Sequence, residues 1–468
     1  MNKELRFVLI TFLLGVFLGA LDSGIVSPAL TTLIEELGID LKWTVWVVTI
    51  YTLVYAVSMP IVGKLADLFG RKRVFLTGIV LFAVGSLLAG LSQSLPFLLA
   101  GRAVQALGGG GIIPIANAVI GSSFPKEKRG MALGLVGAMF GIATILGPNI
   151  GGFFVAQLSW RWIFLINLPI AFIILMMGLK LPEDQAKVKK PSLDWGGAAV
   201  LSFVIISLLL GLTNLDTNDW LTSIKSDFVW PLLLLSIVLI YPLIKFEKVA
   251  KDPIIKLTYF TDRNIVLALL ISTITGIGII SMIFVPSFSE ILLSLSRGQG
   301  GYVMTILAVA SGFAAPIGGI LLDKWGAKQV VLLGFSLSLL GSLVFVFAAD
   351  GWIMLSIGMI FAGVGIGFTM GTPLNYIILE LTPDQEAGAA LSLVSLFRSI
   401  GTSLGPVVLA GFIAASGAAT FSGSGISETL RHTILTGYEH MYLASSVIFL
   451  IGLVLGIFLK MPERDFEN

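Results

Sequence analysis

The chain has 468 residues, of which 56% are apolar and 12% charged, with a formal net charge of +2 and no cysteine. An ordinary soluble domain is about a quarter charged, so this composition excludes one and predicts a protein that crosses a membrane many times. The lack of cysteine excludes disulfides, thiol nucleophiles and thiolate metal sites, and the small net charge provides no basic field for binding nucleic acid.

Apolar stretches long enough to cross a bilayer recur from one end of the chain to the other. The first, 7–30, is longer than a signal-peptide core and is followed by no small-residue cleavage site, so we predict a retained helix. The whole pattern predicts fourteen spans. In chain order they cover residues 7–30, 43–62, 74–92, 97–120, 131–156, 161–180, 196–214, 228–246, 264–289, 301–322, 329–349, 352–378, 388–414 and 437–459.

Basic residues outside these spans are strongly biased to one side of the membrane. If the N-terminus lies inside, the outer segments contain only Lys42, Arg161, Lys225, Arg297 and Arg431. The positive-inside rule then predicts that both termini are cytoplasmic. We expect a multi-pass protein of the cell (inner) membrane of a bacterium.

Two sequence marks recur at nearly the same offset. The spacing Gly-x3-Asp-x2-Gly occurs after the second span, at 63–70, and again 256 residues later, at 319–326. A Gly-Pro pair in the fifth span, at 147–148, recurs 258 residues later, at 405–406. The chain therefore contains an internal repeat.

This repeat predicts an all-α membrane protein built from two six-helix bundles, 1–180 and 264–468. The segment between them, 181–263, is a linker that contains two additional transmembrane helices. Repeated halves with a site between them at mid-membrane are an architecture of secondary transporters.

Four parts of the sequence resemble the fourteen-span drug:proton antiporters of the major facilitator superfamily. They are the motif between spans two and three at 63–73 (GKLADLFGRKR), the fourth-span arginine motif at 99–108 (LAGRAVQALG), the fifth-span antiporter motif at 141–152 (GIATILGPNIGG), and two marks of the fourteen-span branch, Leu21 and Asp22 with Pro28, and 160–169 (WRWIFLINLP).

The resemblance implies the major facilitator fold and a proton-coupled secondary active exporter that works by alternating access, in multidrug efflux. The expected partners are a small lipophilic or amphipathic substrate, protons and membrane lipids, with no nucleic acid, and we expect the protein to function as a monomer. No cofactor, metal or catalytic residue is expected. The substrate is not specified by any of these motifs.

Asp22 and Arg102 are the candidate proton-coupling residues. A charged side chain at the centre of a bilayer costs ~2.5–3.5 kcal/mol on insertion scales, so each one retained there calls for a reason. A carboxylate near a guanidinium in apolar surroundings can change protonation as those surroundings change. The alternative interpretation is a static buried ion pair that fixes the helix register.

The loop after the second span contains the candidate inner gate. The resemblance implies that Gly63, Asp67, Gly70 and Arg71 form it, with Asp67 and Arg71 holding the halves together when the site faces outward. A solvated loop that obeys the positive-inside rule is the alternative, but it does not explain the Gly-x3-Asp-x2-Gly spacing.

The fifth span contains a nearly side-chain-free stripe. Its members are Gly141, Gly147, Pro148, Gly151 and Gly152. The resemblance implies a seal between the halves that blocks proton leak, whereas tight helix packing alone would also explain the glycines.

Two further charges, Glu290 and Arg398, are candidates for a substrate site or a second coupling site. Arg398 lies within a predicted span, and Glu290 is either a cavity residue or a solvated rim residue at the outer end of its span. If Glu290 lies outside, two buried arginines against one carboxylate leave the core near +1. That charge disfavours dications and leaves neutral, monocationic or anionic compounds, an anion docking on Arg398.

Several other functions lack their signatures. The chain contains no G-x-x-x-x-G-K-[ST] loop for an ATP-driven pump, and no HExxH or GxSxG for an enzyme. Two alternatives to drug antiport stay open: an exporter or flippase of an amphipathic lipid or lipid-linked molecule on the same fold, and a facilitator without proton coupling, which Asp22 disfavours.

Overall fold

The computed structural model describes residues 3–182, 192–216, 220–295, 300–347, 351–370, 372–415 and 428–460. Within these ranges it is helical without strands, and 14 helices are long and apolar enough to cross a membrane, which confirms the fold class. They are α1 (Lys3–Leu37), α2 (Trp46–Phe69), α3 (Arg71–Gly90), α4 (Leu95–Ser123), α5 (Lys126–Gln157), α6 (Trp162–Leu179), α7 (Trp195–Thr213), α8 (Val229–Val249), α9 (Arg263–Leu292), α10 (Gly300–Trp325), α11 (Ala327–Phe347), α12 (Trp352–Leu381), α13 (Asp384–Ile413) and α14 (Arg431–Ile457).

Several of these helices are interrupted. In α1, Lys3–Ile25 is separated from Leu30–Leu37 by a 3-10 turn at Ser27–Ala29, where Pro28 has no N–H to donate. In α4, the Gly110–Gly111 step separates Leu95–Gly109 from Ile112–Ser123. Short helices outside the spans, Leu41–Thr44 and Trp220–Ile224, lie in the loops.

Because the number of spans is even, both ends of the chain lie at one end of the bundle, here called the terminal face. The other end is called the opposite face. We call α1–α6 and α9–α14 the two halves; the predicted domain boundaries, after residue 180 and before residue 264, lie between α6 and α7 and within the start of α9. The division into domains stays a prediction. Part of the predicted linker, 183–191, lies outside the described residues.

The halves meet along two seams. In one, α5 packs against α10; in the other, α2 packs against α13. Helix α7 contacts both α2 and α13, so it lies across the second seam, and α8 packs on α7.

Glycine allows unusually close helix contacts within the first half. A Cβ on Gly85 of α3 would lie 2.2 Å from the backbone nitrogen of Gln105 in α4, and one on Gly108 would lie 2.3 Å from the carbonyl of Gly78. Small residues at these positions let two membrane helices approach to backbone contact. This packing fixes the position of α4, the helix that contains Arg102.

Candidate functional site

A cavity of about 370 Å³ lies between the two halves. Its walls come from α1, α2, α4 and α5 of the first half and from α9, α12 and α13 of the second. Most of the lining is apolar or aromatic, and its charged members are Arg102 and Arg398. No carboxylate is among the described residues that line it.

Asp22 and Arg102 form a buried ion pair beside this cavity. The Nη1 atom of Arg102 lies 2.7 Å from the Oδ2 atom of Asp22, and the two side chains are 2% and 0% exposed. The Nε atom of Arg102 donates to the carbonyl of Val47 at 3.2 Å. Arg102 lines the cavity and Asp22 does not, so the carboxylate lies behind the guanidinium.

Amide side chains complete the coordination of Asp22. Gln105 donates from Nε2 to Asp22 Oδ1 at 2.7 Å and to Ser86 Oγ at 2.8 Å, and its Oε1 accepts from Arg102 at 2.6 Å. Asn167 donates to the same Asp22 oxygen at 3.3 Å. Gln105 and Asn167 are not among the site residues predicted from the sequence, although Gln105 lies three positions after Arg102 and therefore on the same side of the helix.

Aromatic rings cover the guanidinium on its other faces. The guanidinium carbon of Arg102 lies 3.9 Å from the ring centre of Tyr51 and 5.6 Å from that of Phe164. Such contacts attract a cation more strongly where water is excluded. Arg102 is therefore held between a carboxylate and the aromatic wall of the cavity.

On the terminal face, Asp67 joins the two halves. Its Oδ1 and Oδ2 atoms accept hydrogen bonds from the backbone N–H groups of Gly388 and Ala389 at 3.0 and 2.8 Å, at the start of the long helix of α13. The first N–H groups of a helix have no partner within it and attract a negative charge. Gly63 makes this approach possible, because a Cβ there would lie 2.6 Å from the carbonyl of Gly388.

The second copy of the motif makes the same contact in the other direction. Asp323 accepts from the N–H groups of Gly130 and Met131 at 2.8 and 3.0 Å, at the start of α5. A Cβ on Gly319 would lie 2.2 Å from the carbonyl of Gly130. Each half therefore caps a helix of the other.

The last glycine of the motif has a separate backbone role. Gly70 and Gly326 have φ angles of +96° and +90°, which L side chains rarely adopt. They end α2 and α10 and allow the sharp turn into α3 and α11. The Gly-x3-Asp-x2-Gly spacing thus combines a close approach, a helix cap and a turn.

Arg71 also reaches across to the other half. Its Nη2 atom donates to the carbonyl of Asp384 and lies 3.9 Å from Asp67 Oδ1, while Nη1 donates to Ser122 Oγ at 2.7 Å and to the carbonyl of Ala118 at 3.1 Å. The resemblance implies that Asp67 and Arg71 hold the halves together, without naming their partners. The partners found in the other half are backbone groups.

Further ion pairs lie on this face. Arg129 Nη1 donates to Glu380 Oε1 at 3.0 Å across the α5–α12 contact. Lys256, in the segment before α9, donates to Glu386 Oε1 at 2.5 Å, and the hydroxyl of Tyr259 donates to Glu386 Oε2 at 2.7 Å. Burial and the bond to Glu386 raise the pKa of Tyr259 above its usual range, so the hydroxyl remains a donor at ordinary pH.

The glycine stripe of α5 lies mostly inside the first half. A Cβ on Gly147 would lie 2.9 Å from the carbonyl of Leu21, and one on Gly151 would lie 2.3 Å from the carbonyl of Ile25, both in α1. Pro148 touches Gly24 of α1 as well, and nothing lies within 4 Å of a Cβ on Gly152. Within the stripe, Gly141 is the position whose Cβ would be nearest to the other half, at 3.7 Å from Ser311 of α10.

Of this stripe, Gly147 and Gly151 therefore face α1, and Gly141 lies nearest to α10. Residues four apart, such as Gly147 and Gly151, share one side of a helix, and that side meets α1. Gly141 lies on a different side of α5. The proton seal stays a prediction.

Glu290 and Arg398 are not brought together. Glu290 Oε1 accepts from the N–H of Gly300 at 3.1 Å, where α9 ends and α10 begins at the opposite face, and Glu290 is not among the cavity-lining residues. Arg398 lines the cavity, and its Nε and Nη2 atoms are buried with no hydrogen-bond partner in the described part of the chain. Glu290 was predicted to be either a cavity residue or a rim residue, and the structure places it at the rim.

Comparison with known proteins identifies the family. The sequence matches the model of the Major Facilitator Superfamily over residues 12–292 and 265–467. The chain belongs to this superfamily. It is a multi-pass membrane transporter of small molecules and not an enzyme, as expected.

Three bacterial relatives illustrate the similarity. The chain is 37% identical to the uncharacterized MFS-type transporter YfiU of Bacillus subtilis, with 96% of each chain covered. It is 32% identical to Multidrug resistance protein 3 of the same species, covering 86% of this chain and 78% of that one. It is 31% identical to the riboflavin transporter RibZ of Clostridioides difficile, covering 97% and 98%. With the 14 spans, the multidrug relatives confirm the resemblance predicted from the motifs.

Solved structures agree on the fold. The human organic anion transporter MFSD10 superposes with a TM-score of 0.68 over 97% of this chain and 100% of that one, at 16% identity. This match confirms the major facilitator fold.

Proposed function

We propose that the chain is a proton-coupled antiporter that exports lipophilic or amphipathic compounds by alternating access. It would act as a monomer in the bacterial cell membrane with both termini inside. The observation that carries the proposal is the buried Asp22–Arg102 pair at the wall of the central cavity.

The pair supports coupling because the guanidinium of Arg102 can interact either with Asp22 or with a substrate bound in the cavity. Ionised Asp22 holds Arg102 by charge, whereas protonated Asp22 leaves a cation at the cavity wall. A proton on Asp22 thus changes the charge that a bound substrate meets. Arginine itself keeps its proton, so Asp22 is the member of the pair that exchanges one.

Alternating access is supported by the contacts of the terminal face. The Asp67 and Asp323 caps close that face between the two halves, and the cavity lies beyond them. Few covalent connections cross these contacts, so rocking of one half against the other would break them together.

The substrate class is supported by the cavity wall and by two relatives. Tyr51, Tyr55 and Phe140 provide aromatic area in the lining, together with Met59 and Met370. Multidrug resistance protein 3 and the riboflavin transporter RibZ are named for a drug range and for an aromatic vitamin, respectively. Lipophilic aromatic compounds are consistent both with the names of these relatives and with the aromatic lining of the cavity.

Reconstituted liposomes with an imposed pH gradient test the proposal, with the neutral fluorescent compound riboflavin as the reporter and a proton-sensitive dye on the other side. Asp22→Asn keeps the shape of the side chain and one acceptor oxygen but cannot exchange a proton, so uphill transport should be lost while riboflavin binding persists. Asp227→Asn removes a carboxylate from an exposed position in the loop before α8 and serves as the control. Undiminished gradient-driven transport by Asp22→Asn would overturn the proposal.

A further inference from the structure

The central cavity contains an arginine with two buried donor atoms that make no hydrogen bond to the described residues. Arg398 is part of α13, and its Nε and Nη2 atoms are buried with no partner among the described residues. Arginines inside membrane spans normally pair with a carboxylate or a backbone carbonyl. Arg102 does both, through Asp22 and Val47, so the same cavity provides a satisfied arginine for comparison.

The two unsatisfied atoms of Arg398 lie on one edge of the guanidinium. The Nε–H and the nearer Nη2–H bonds point the same way, and this edge matches two oxygens of a carboxylate or phosphate. Water could satisfy the atoms singly, but a planar pair of oxygens satisfies both donors and the charge.

Polar side chains line the cavity together with Arg398. Ser395 and Thr402 line the cavity three positions before and four positions after Arg398, which places them along the same side of α13. Asn117 and Asn375, at equivalent positions of the two halves, also line the cavity, and Asn117 Oδ1 is a further buried atom with no partner.

The first half contributes most of the apolar wall, interrupted by Ser23, Thr52 and Thr144. Tyr55, Met59, Ile113, Val136 and Phe140 all line the cavity from this half. The cavity therefore combines a cationic, hydrogen-bonding region around Arg398 with a large aromatic and aliphatic area. A molecule that matches both has an anionic head and an apolar body.

We propose that Arg398 is the docking site for the carboxylate or phosphate head of an amphipathic organic anion, whose apolar body lies against the first half. The inference rests on the proposed function, because it takes the cavity as the substrate site. It deepens that function by naming the charge of the substrate. No carboxylate lines the described cavity to repel such an anion or to neutralise Arg398.

Three probes with one apolar body and different heads test this: 1-pyrenebutyrate, 1-pyrenebutanol and 1-pyrenebutylamine. Equilibrium binding to the purified full-length protein is followed by fluorescence polarisation, without any gradient. Wild type should bind the carboxylate roughly 10- to 100-fold more tightly than the alcohol, the range expected for charge-assisted hydrogen bonds. The amine should bind most weakly.

Substitutions at Arg398 separate charge from geometry. Arg398→Gln should abolish the preference for the carboxylate and leave binding of the alcohol unchanged, which shows that the variant is folded. Arg398→Lys should keep part of the preference, because it retains the charge and loses the two-donor edge. Arg263→Gln removes an exposed arginine away from the cavity and should behave as wild type.

Competition identifies the source of the anionic head. If dioctanoyl phosphatidate displaces pyrenebutyrate at a lower concentration than benzoate does, the natural anionic head is a lipid headgroup. If benzoate acts at the lower concentration, it is a soluble anion. Both results support the site. Equal affinity of wild type for the three probes, or a preference that survives Arg398→Gln, would overturn it. These binding experiments use no proton gradient, so their failure would overturn the anion site and leave the coupling proposal standing. Normal uphill transport by Asp22→Asn would overturn proton coupling and leave the anion site standing.

Discussion

Replacing Asp67 by Ala removes a cap that joins the halves on the terminal face. The side chain is 5% exposed and accepts two backbone hydrogen bonds, at 3.0 and 2.8 Å, from the start of a helix in the other half. When the face opens, those N–H groups and the carboxylate are hydrated instead. Asp67→Ala therefore weakens the closed state more than the open one.

The magnitude follows from the two bonds. A hydrogen bond to a charged group contributes about 1.5–3 kcal/mol, so the low end for two bonds gives about 3 kcal/mol. At 1.4 kcal/mol for each factor of ten, the equilibrium between closed and open should shift roughly 100-fold toward open. Asp323→Ala removes the equivalent contact and should act in the same direction.

Cysteine labelling measures this shift directly, because the chain contains no cysteine of its own. Leu133, which lines the cavity near the terminal end of α5, is replaced by Cys and exposed to an impermeant maleimide from the terminal face. The labelling rate should rise in Asp67→Ala and not in Asp227→Asn. An unchanged rate in both Asp67→Ala and Asp323→Ala would refute the reasoning that these caps hold the face closed.

Two further outcomes are expected. Gly85→Ala would place a methyl group 2.2 Å from the backbone nitrogen of Gln105, and such overpacking costs about 1–3 kcal/mol. The melting temperature of this variant in detergent should therefore fall. Gly312→Ala, where nothing lies within 4 Å of the added Cβ, should leave the melting temperature unchanged. Tyr259→Phe removes the donor to Glu386 and should lower the melting temperature by a similar amount at pH 7 and 9, because the raised pKa of Tyr259 keeps the hydroxyl protonated at both values; a decrease confined to pH 7 would contradict this.

The number and kind of helices could be predicted from the sequence because each span needs a long apolar run that stands out from its loops. The repeat was also visible, because each motif position has a backbone requirement that few residue types satisfy. Gly63 allows a close approach, Asp67 accepts backbone hydrogen bonds and Gly70 adopts a positive φ. The same three requirements recur at residues 319, 323 and 326.

The partners of these residues could not be predicted in the same way. Asp67 binds N–H groups at 388 and 389, and a backbone group has no side-chain signature. Likewise, the glycines of α5 indicate that another helix packs closely against it, but they do not identify that helix. Both α1 and α10 were consistent with the sequence. The contribution of Asn167 to the Asp22 network depends on a contact between distant spans, which spacing along the chain does not encode.

The position of α7 makes the two flanks of the molecule unequal. On one flank, α7 lies over the line where α2 meets α13, with α8 outside it. On the other flank, where α5 meets α10, large apolar side chains such as Phe313, Ile317 and Ile142 are exposed to the lipid. A compound dissolved in the bilayer would find the first flank shielded by two helices, so any sideways route from the lipid to the cavity leads between α5 and α10.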